Sequence, residues 1–419
     1  MRVVVAGGGI GGLTAALSLH AAGITDVAVL EAAPELRPLG VGVNVLPHAV
    51  RELTELGLAE RLSGQGVATA ALAYHNRHGQ AIWSEPRGVA AGYTWPQYSV
   101  HRGTLQMMLF EAVNERLGTE SVHTGAAVTA FEDTPDGVRV KLADGRTVEG
   151  DVLIAADGIR SAVRAQLYPD EGAPPWNGLV LWRGTTRVPA PAFLGGRTMI
   201  MAGDGVEKFV AYPLTDTPDA DGTVLLNWIA ERPLESAPRA PGDWNRPADP
   251  ADILRYFGGW RFDWLDIPTV IAGAEAVFEY PMVDRDPLPR WTHGRVTLLG
   301  DAAHAMYPNG SNGASQAILD ARVLARELAT RPIDEALAAY EADRRPTTAA
   351  IQQANRGQGP EIVMRTVAER APDGFADIDD VLSLAEREAV AAAYKKTAGF
   401  DPEILNSRAS YTVAPEDRR

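Results

Sequence analysis

Glycines at 7, 9 and 12 and an acid at 31 form the first group of residues with a chemical meaning. Gly7-x-Gly9-x-x-Gly12 stands between a valine run at 2–6 and a helical pattern at 13–22, and Glu31 closes a second apolar run at 27–30. In a strand–turn–helix setting the first glycine permits a tight turn and the second lets a pyrophosphate approach the backbone. The third lets the helix pack on the strand. The helix start, with Ile10 and Gly11 in the turn before it, presents free N–H groups and partial positive charge to phosphate. Glu31 lies nineteen residues beyond Gly12, where a carboxylate accepts a hydrogen bond from a ribose hydroxyl. Two further turns carry acids. Asp157-Gly158 follows the apolar run 151–155 and precedes a helical pattern carrying Arg160 and Arg164. Gly300-Asp301 follows "RVTLL" and leads through a glycine-rich loop to a helix expected from Gly313. Taken singly, either acid reads equally well as a helix cap. Three nucleotide-type turns in one chain point to a bound dinucleotide.

The elements that must position these turns can be read from periodicity. Buried runs at 2–6, 27–30, 151–155 and 296–299 have the length of parallel strands, and helical patterns follow at 45–56, 104–117 and over most of 313–370. Residues 67–83 read as one or two strands, and short strands near 121–131 and 137–149 are separated by "PDG" and "ADG" turns. From 176 to 283 the chain becomes strand-rich, as in "GLVLWRGTTRV" and "EKFVAYPL", with a proline-rich loop at 233–250. The expectation is an α/β layer interrupted by an antiparallel sheet. It divides into a discontinuous first domain (1–70, 98–175 and 284–370), a β-rich second domain (71–97 and 176–283) and a helical tail at 371–419.

Composition narrows the classes. A chain of 419 residues with 46% hydrophobic and 22% charged residues fits a globular protein of two or three domains. A formal charge of −15 disfavours a general nucleic-acid binder, which needs basic patches. The absence of cysteine excludes disulfides, thiolate metal sites and cysteinyl attachment of a cofactor. No metal site, leader or membrane-spanning run is evident, so a cytoplasmic monomer or homodimer is expected.

The three turns, in this order and at these separations, resemble those of the FAD-dependent aromatic hydroxylases, the group A flavoprotein monooxygenases of the p-hydroxybenzoate hydroxylase superfamily. The likeness runs over about residues 2–370. "RPLGVGVN", "WSEPRGV", "PQYSVHRGTLQM", "EYPMVDRDPLP" and "MYPNGSNGASQAILD" are most similar to the phenazine hydroxylases that act on 5-methylphenazine-1-carboxylate. The resemblance implies a Rossmann-like FAD-binding domain with an inserted substrate sheet, non-covalent FAD, and NADH or NADPH as transient reductant. It also implies hydroxylation of an electron-rich, polycyclic aromatic by O₂ through a C4a-hydroperoxyflavin. Decarboxylation would accompany attack at a carbon bearing a carboxylate. No side chain is assigned as catalytic, because the flavin carries the difficult step.

By the same resemblance Arg102 reaches the FAD pyrophosphate, Glu31 the adenosine ribose and Val128 the adenine through its backbone, and Ala32 belongs to the cofactor-binding set. Val43 and Pro308 border the isoalloxazine, Asp301 contacts the ribityl chain, and Gly313 and Ala314 offer N–H groups to the flavin. Asp157 shapes the FAD site and the passage of the nicotinamide. His101 and His304 read as structural histidines. The substrate pocket is expected between the flavin and the 176–283 sheet, walled by Trp182, Tyr212, Asn227, Trp228, Phe278, Met306 and Tyr307, with Arg183 placed to pair with a substrate carboxylate. A flavin oxidase, dehydrogenase or epoxidase on the same scaffold is the alternative. "FDWLDIP" does not match the Trp-x-Trp-x-Ile-Pro of flavin halogenases.

Overall fold

The computed structural model describes residues 1–190, 196–235 and 246–419. Most of the 233–250 loop therefore lies outside the described residues.

The valine run forms the strand Arg2–Ala6, whose last four residues are buried. It pairs in parallel with Asp26–Leu30 on one side and Val152–Ala155 on the other. Val296–Leu298 and Val122–His123 extend the sheet outward, and Thr292–His293 adds an antiparallel edge. Strands buried on both faces need continuous apolar runs, which is why these segments do not alternate. Helices Ile10–Ala21, Arg102–Leu117 and Gly313–Thr330 cover the sheet, and the 24-residue helix Ile333–Arg356 packs beyond them. A three-stranded antiparallel meander runs through Val128–Thr134, Gly137–Leu142 and Thr147–Gly150.

Six strands from residues 176–283 join Ala71–His75 and Ala81–Pro86 in an eight-stranded sheet centred on Trp176–Pro189, Thr223–Pro233, Lys208–Pro213 and Thr198–Gly203. It is not wholly antiparallel: Thr198–Gly203 pairs in parallel with Ala71–His75, recruited from much earlier in the chain. Its outer face buries Trp182, Phe209 and Trp228 under helices Pro250–Phe257 and Ile267–Ala272. A separate sheet joins Gly42–Val45, Gln97–His101 and Gly66–Thr69.

Helix Leu384–Thr397 starts with a capping box at Ser383 and Glu386, and Tyr394, Phe400 and Leu405 are buried with Leu46, Tyr93 and Ile351. Arg160 lies in the turn before helix Ala162–Leu167 rather than within it, while Arg164 is buried and donates to the carbonyls of Ala302 and Ala303. Among the described residues no helix is long and apolar enough to cross a membrane.

Candidate active site

Between the parallel layer and the inner face of the large sheet lies a cavity of about 360 Å³. Gly9, Ile10, Gly11, Val43, Arg102, Asp301, Pro308, Gly313 and Ala314 line it from the nucleotide side. Arg183 and Tyr212 line it from the sheet side, and Met306 and Tyr307 from the loop between helix Asp301–His304 and Pro308.

The glycine turn is locked from within. Gly7 has φ +103°, and its N–H donates to the Leu30 carbonyl at 2.8 Å. A Cβ on Gly12 would stand 1.9 Å from the Gly7 carbonyl oxygen, so only glycine lets this helix approach this strand. Glu31 holds the turn from outside: its carboxylate accepts the N–H groups of Gly8 and Ala33, each at 2.7 Å. Gln106 on helix Arg102–Leu117 donates to the Gly8 carbonyl at 2.8 Å, a contact that no local pattern announces.

Two other glycines have no such internal reason. Gly9 has φ −77° and ψ −176°, which any residue adopts, and a Cβ there would meet no described atom within 4 Å. At Gly313 the nearest atom to a Cβ would be an Asp301 carboxylate oxygen at 4.0 Å. Both begin long helices, Ile10–Ala21 and Gly313–Thr330, whose first N–H groups have no intrahelical partner. Side chains are therefore missing where space is open, backbone donors are free and the cavity begins. That combination suits a phosphate and a flavin ring. Arg102 is exposed at the mouth with no hydrogen bond or ion pair from its guanidinium to a described residue, as a phosphate ligand requires.

Other expected positions lie outside the cavity. Glu31, Ala32 and Val128 do not line it; Gly125 and Ala126, just before Val128, donate to the carbonyls of Ala33 and Glu31. Asp157 turns into its own loop, accepting the Ala162 N–H at 2.9 Å, with its other oxygen buried and without a partner among the described residues. Burial raises its pKa. His304 is fully buried and bonded to Asp320 at 2.6 Å, beneath the Gly300 turn.

On the sheet, pleat parity separates the expected pocket residues. Arg183 registers with Ile229, and Ile229 with Val210, so these three share the cavity face. Trp182 and Trp228 sit at positions of the opposite parity. Trp182 donates to Glu279 and stacks on Tyr256, and Trp228 donates to Thr186 and stacks on Phe209. Both belong to the core behind the sheet, which corrects their assignment to the pocket. Phe278 registers with Arg183 but sits one strand further out, beside Pro247. Asn227 has the right parity but lies behind Gly42, whose N–H it accepts at 2.6 Å. Arg183 donates to the Gly42 carbonyl at 2.8 Å, and Tyr212 beside it has its pKa raised by burial.

Parity also reveals residues absent from the expected set. Leu181, Met199, Met201, Val210 and Ile229 form an apolar wall. Lys208 and Glu231 project from directly paired strand positions, and Glu361 meets Lys208 from the turn Gly359–Glu361. A lysine opening one largely apolar strand and a glutamate near the end of another were the available sign. Burial, reinforced by Glu361, pushes Glu231 up to about 7 against the pull of Lys208, whose own pKa is raised by the two carboxylates.

The tail closes the loop at 308–313. Tyr394 accepts from Asn312 Nδ2 at 3.0 Å and donates to Asn355 Oδ1 at 2.8 Å, with the Asn309 carbonyl 3.2 Å away. Gly310, at φ +72°, is required there because a Cβ would fall 2.1 Å from the Tyr394 oxygen.

The family described as FAD binding domain matches residues 1–174 and 282–355. Phenazine 1,6-dicarboxylic acid hydroxylase PhzS of Lysobacter antibioticus is 48% identical over 402 residues, covering 94% of this chain and 96% of its own. Aurachin C monooxygenase/isomerase of Stigmatella aurantiaca is 36% identical over 82% of this chain and 85% of its own. Among solved structures, HpxO of Klebsiella pneumoniae complexed with FAD and uric acid superposes with a TM-score of 0.77 at 27% identity, covering 96% of this chain and 98% of that one. With the matched segments, the two helix starts and the open glycines at one cavity, the chain belongs to the FAD-dependent aromatic hydroxylases of the p-hydroxybenzoate hydroxylase fold.

Proposed function

We propose that this flavin monooxygenase hydroxylates a planar, multi-ring, nitrogen-containing aromatic bearing a carboxylate, with NADH or NADPH as electron donor. The observation that carries the reading is the single cavity running from the open glycines at 9 and 313 to the apolar wall of the sheet. The relative named for a phenazine dicarboxylic acid, 48% identical along nearly the whole chain, supports the substrate class. Bound here, FAD supplies the chemistry of accepting a hydride and delivering one oxygen atom of O₂ to a ring.

The chain supplies position and dryness. Arg102 and the N–H groups at 9–11 hold the pyrophosphate, Glu31 the ribose, Asp301 the ribityl hydroxyls, and Gly313 and Ala314 the flavin edge. Met199, Met201 and Ile229 exclude water around the ring, and Arg183 faces the substrate's acid group. With ¹⁸O₂ and a panel of phenazine carboxylates, quinolines, indoles and hydroxybenzoates, one labelled oxygen is expected in the multi-ring products. Product without label points to the oxidase or dehydrogenase alternative, and turnover confined to single-ring phenols overturns the multi-ring assignment.

A further inference from the structure

Lys208, Glu231 and Glu361 are each less than 5% exposed, yet all three line the cavity. Lys208 Nζ lies 3.1 Å from Glu231 Oε2 and forms a hydrogen bond with Glu361 Oε2. Asn309, adjacent to Pro308, donates to that same Glu361 oxygen at 3.1 Å. With Glu231 ionised, one ammonium therefore faces two carboxylates, a surplus of one negative charge in an apolar setting. A buried structural pair balances its charges and fills its acceptors, because unpaired buried polar atoms are costly. Here the contact of Glu231 Oε2 with the ammonium is not an aligned hydrogen bond, so this buried oxygen keeps an open acceptor position. The Glu231 carboxylate is therefore one donor short, and the residue lines the cavity from which a donor would come.

The opposite sign stands nearby. Arg183 pairs with no carboxylate among the described residues, and its Nε is a buried donor without a partner. Leu181 registers with Glu231, so Arg183 stands two residues further along the paired strands, a step of ~7 Å. That spacing keeps the two poles on separate substituents of a fused ring system.

We propose that Glu231, braced by Lys208 and Glu361, is a specificity-determining residue that accepts a hydrogen bond from a hydroxyl or ring N–H of the aromatic substrate, while Arg183 takes its acid group. The inference rests on the proposed function, in which the ring occupies this cavity. A carboxylate placed at Glu231 would meet surplus negative charge, so the two poles set the direction in which the ring enters. The assignment also explains why a glutamate stands beside the apolar wall of Leu181, Met199, Met201, Val210 and Ile229.

Calorimetric titration of the FAD-loaded enzyme at about pH 8, where Glu231 is ionised, with 6-hydroxy-2-naphthoate and 6-methoxy-2-naphthoate tests it, since methylation removes the donor and adds one methyl group, whose steric share the Glu231 variants report. The hydroxy ligand is expected to bind about tenfold or more tighter, the worth of a hydrogen bond to a charged acceptor. In Glu231→Leu, which leaves Lys208 paired with Glu361, the preference should fall below about threefold. Glu231→Gln, which keeps a neutral acceptor, should fall between the two. Equal binding of both ligands to the wild type overturns the inference, as does a folded Glu231→Leu with the wild-type preference. If Glu231→Leu does not fold, an undiminished preference in Glu231→Gln overturns it as well. Equal binding alongside ¹⁸O-labelled hydroxylation leaves the proposed function standing, whereas neither binding nor oxygenation of any aromatic overturns both.

Discussion

The two ends of the cavity are built from different materials. At the nucleotide end the backbone does the recognising: Gly7 and Gly12 lock a turn, and Gly9 and Gly313 leave open space over two helix starts. At the sheet end recognition falls to side chains on alternate strand positions, with Trp228, fully buried, anchoring the reverse face. Backbone donors are the same for any residue type, so the first end depends on which positions lack a side chain. The sheet end can change its chemistry one residue at a time, because its core sits on the other face of the same strands. One end therefore suits a constant cofactor and the other a variable substrate.

The largest expected effect comes from breaking the locked turn. Gly12→Val would drive a methyl-bearing carbon into the Gly7 carbonyl at 1.9 Å, a backbone clash expected to cost more than about 4 kcal/mol and to abolish soluble folded protein. Soluble yield and thermal melting check it. Trp228→Ala empties the reverse face of the sheet and should cost about 3–5 kcal/mol in denaturant unfolding. The affinity of the remaining folded protein for FAD should not change.

Gly9→Val should separate folding from cofactor binding. Its Cβ meets no described atom within 4 Å, so apo stability should hold within about 1 kcal/mol, while FAD affinity drops about 100-fold, or about 2.7 kcal/mol. Equal losses of both would show that the open glycine serves the fold instead.

The ends should also differ in their response to pH. His48, buried against Phe400 on the nucleotide side, is held down to about 3 by burial and by the Arg344 and Arg408 charges. Its contribution is complete above pH 6.5 and is lost as pH falls toward 3. Glu231 is raised from 4.5 to about 7, so its contribution is complete below 4.5 and is lost as pH rises toward 7. Each slope is about 1.4 kcal/mol per pH unit, and between 4.5 and 6.5 they oppose. Unfolding free energy against pH should therefore lose its acid-side fall in His48→Gln and its neutral-side fall in Glu231→Gln. The smallest effect is expected from Tyr394→Phe, which removes the hydroxyl tying the tail to the loop at 308–313. It should cost about 1 kcal/mol and quicken hydrogen exchange at 309–313.

Legibility followed the range of the interactions. The turn at Gly7–Gly12, the strand before it and the acid at 31 lie within thirty residues, so spacing alone brought them together. The helix expected from Gly313 begins there, because its boundary is set by neighbouring residues. Pocket residues were harder. Arg183 and Tyr212 line the cavity while Trp182 and Trp228 do not, although aromatic character favoured all but Arg183. A strand's period of two separates its faces without saying which face meets the ligand.

What the amino-acid order determined by itself was the set of nucleotide turns, the buried parallel strands and the family they mark. Those depend on glycine conformation, free helix-start donors and apolar runs, all properties of short segments. Tertiary structure alone decided which face of the large sheet meets the cavity, and that the tail reaches back to the flavin-side loop. It also brought Glu361 to Lys208, 153 residues earlier. Register and packing select such contacts by burial over the whole chain, and no short segment contains both partners.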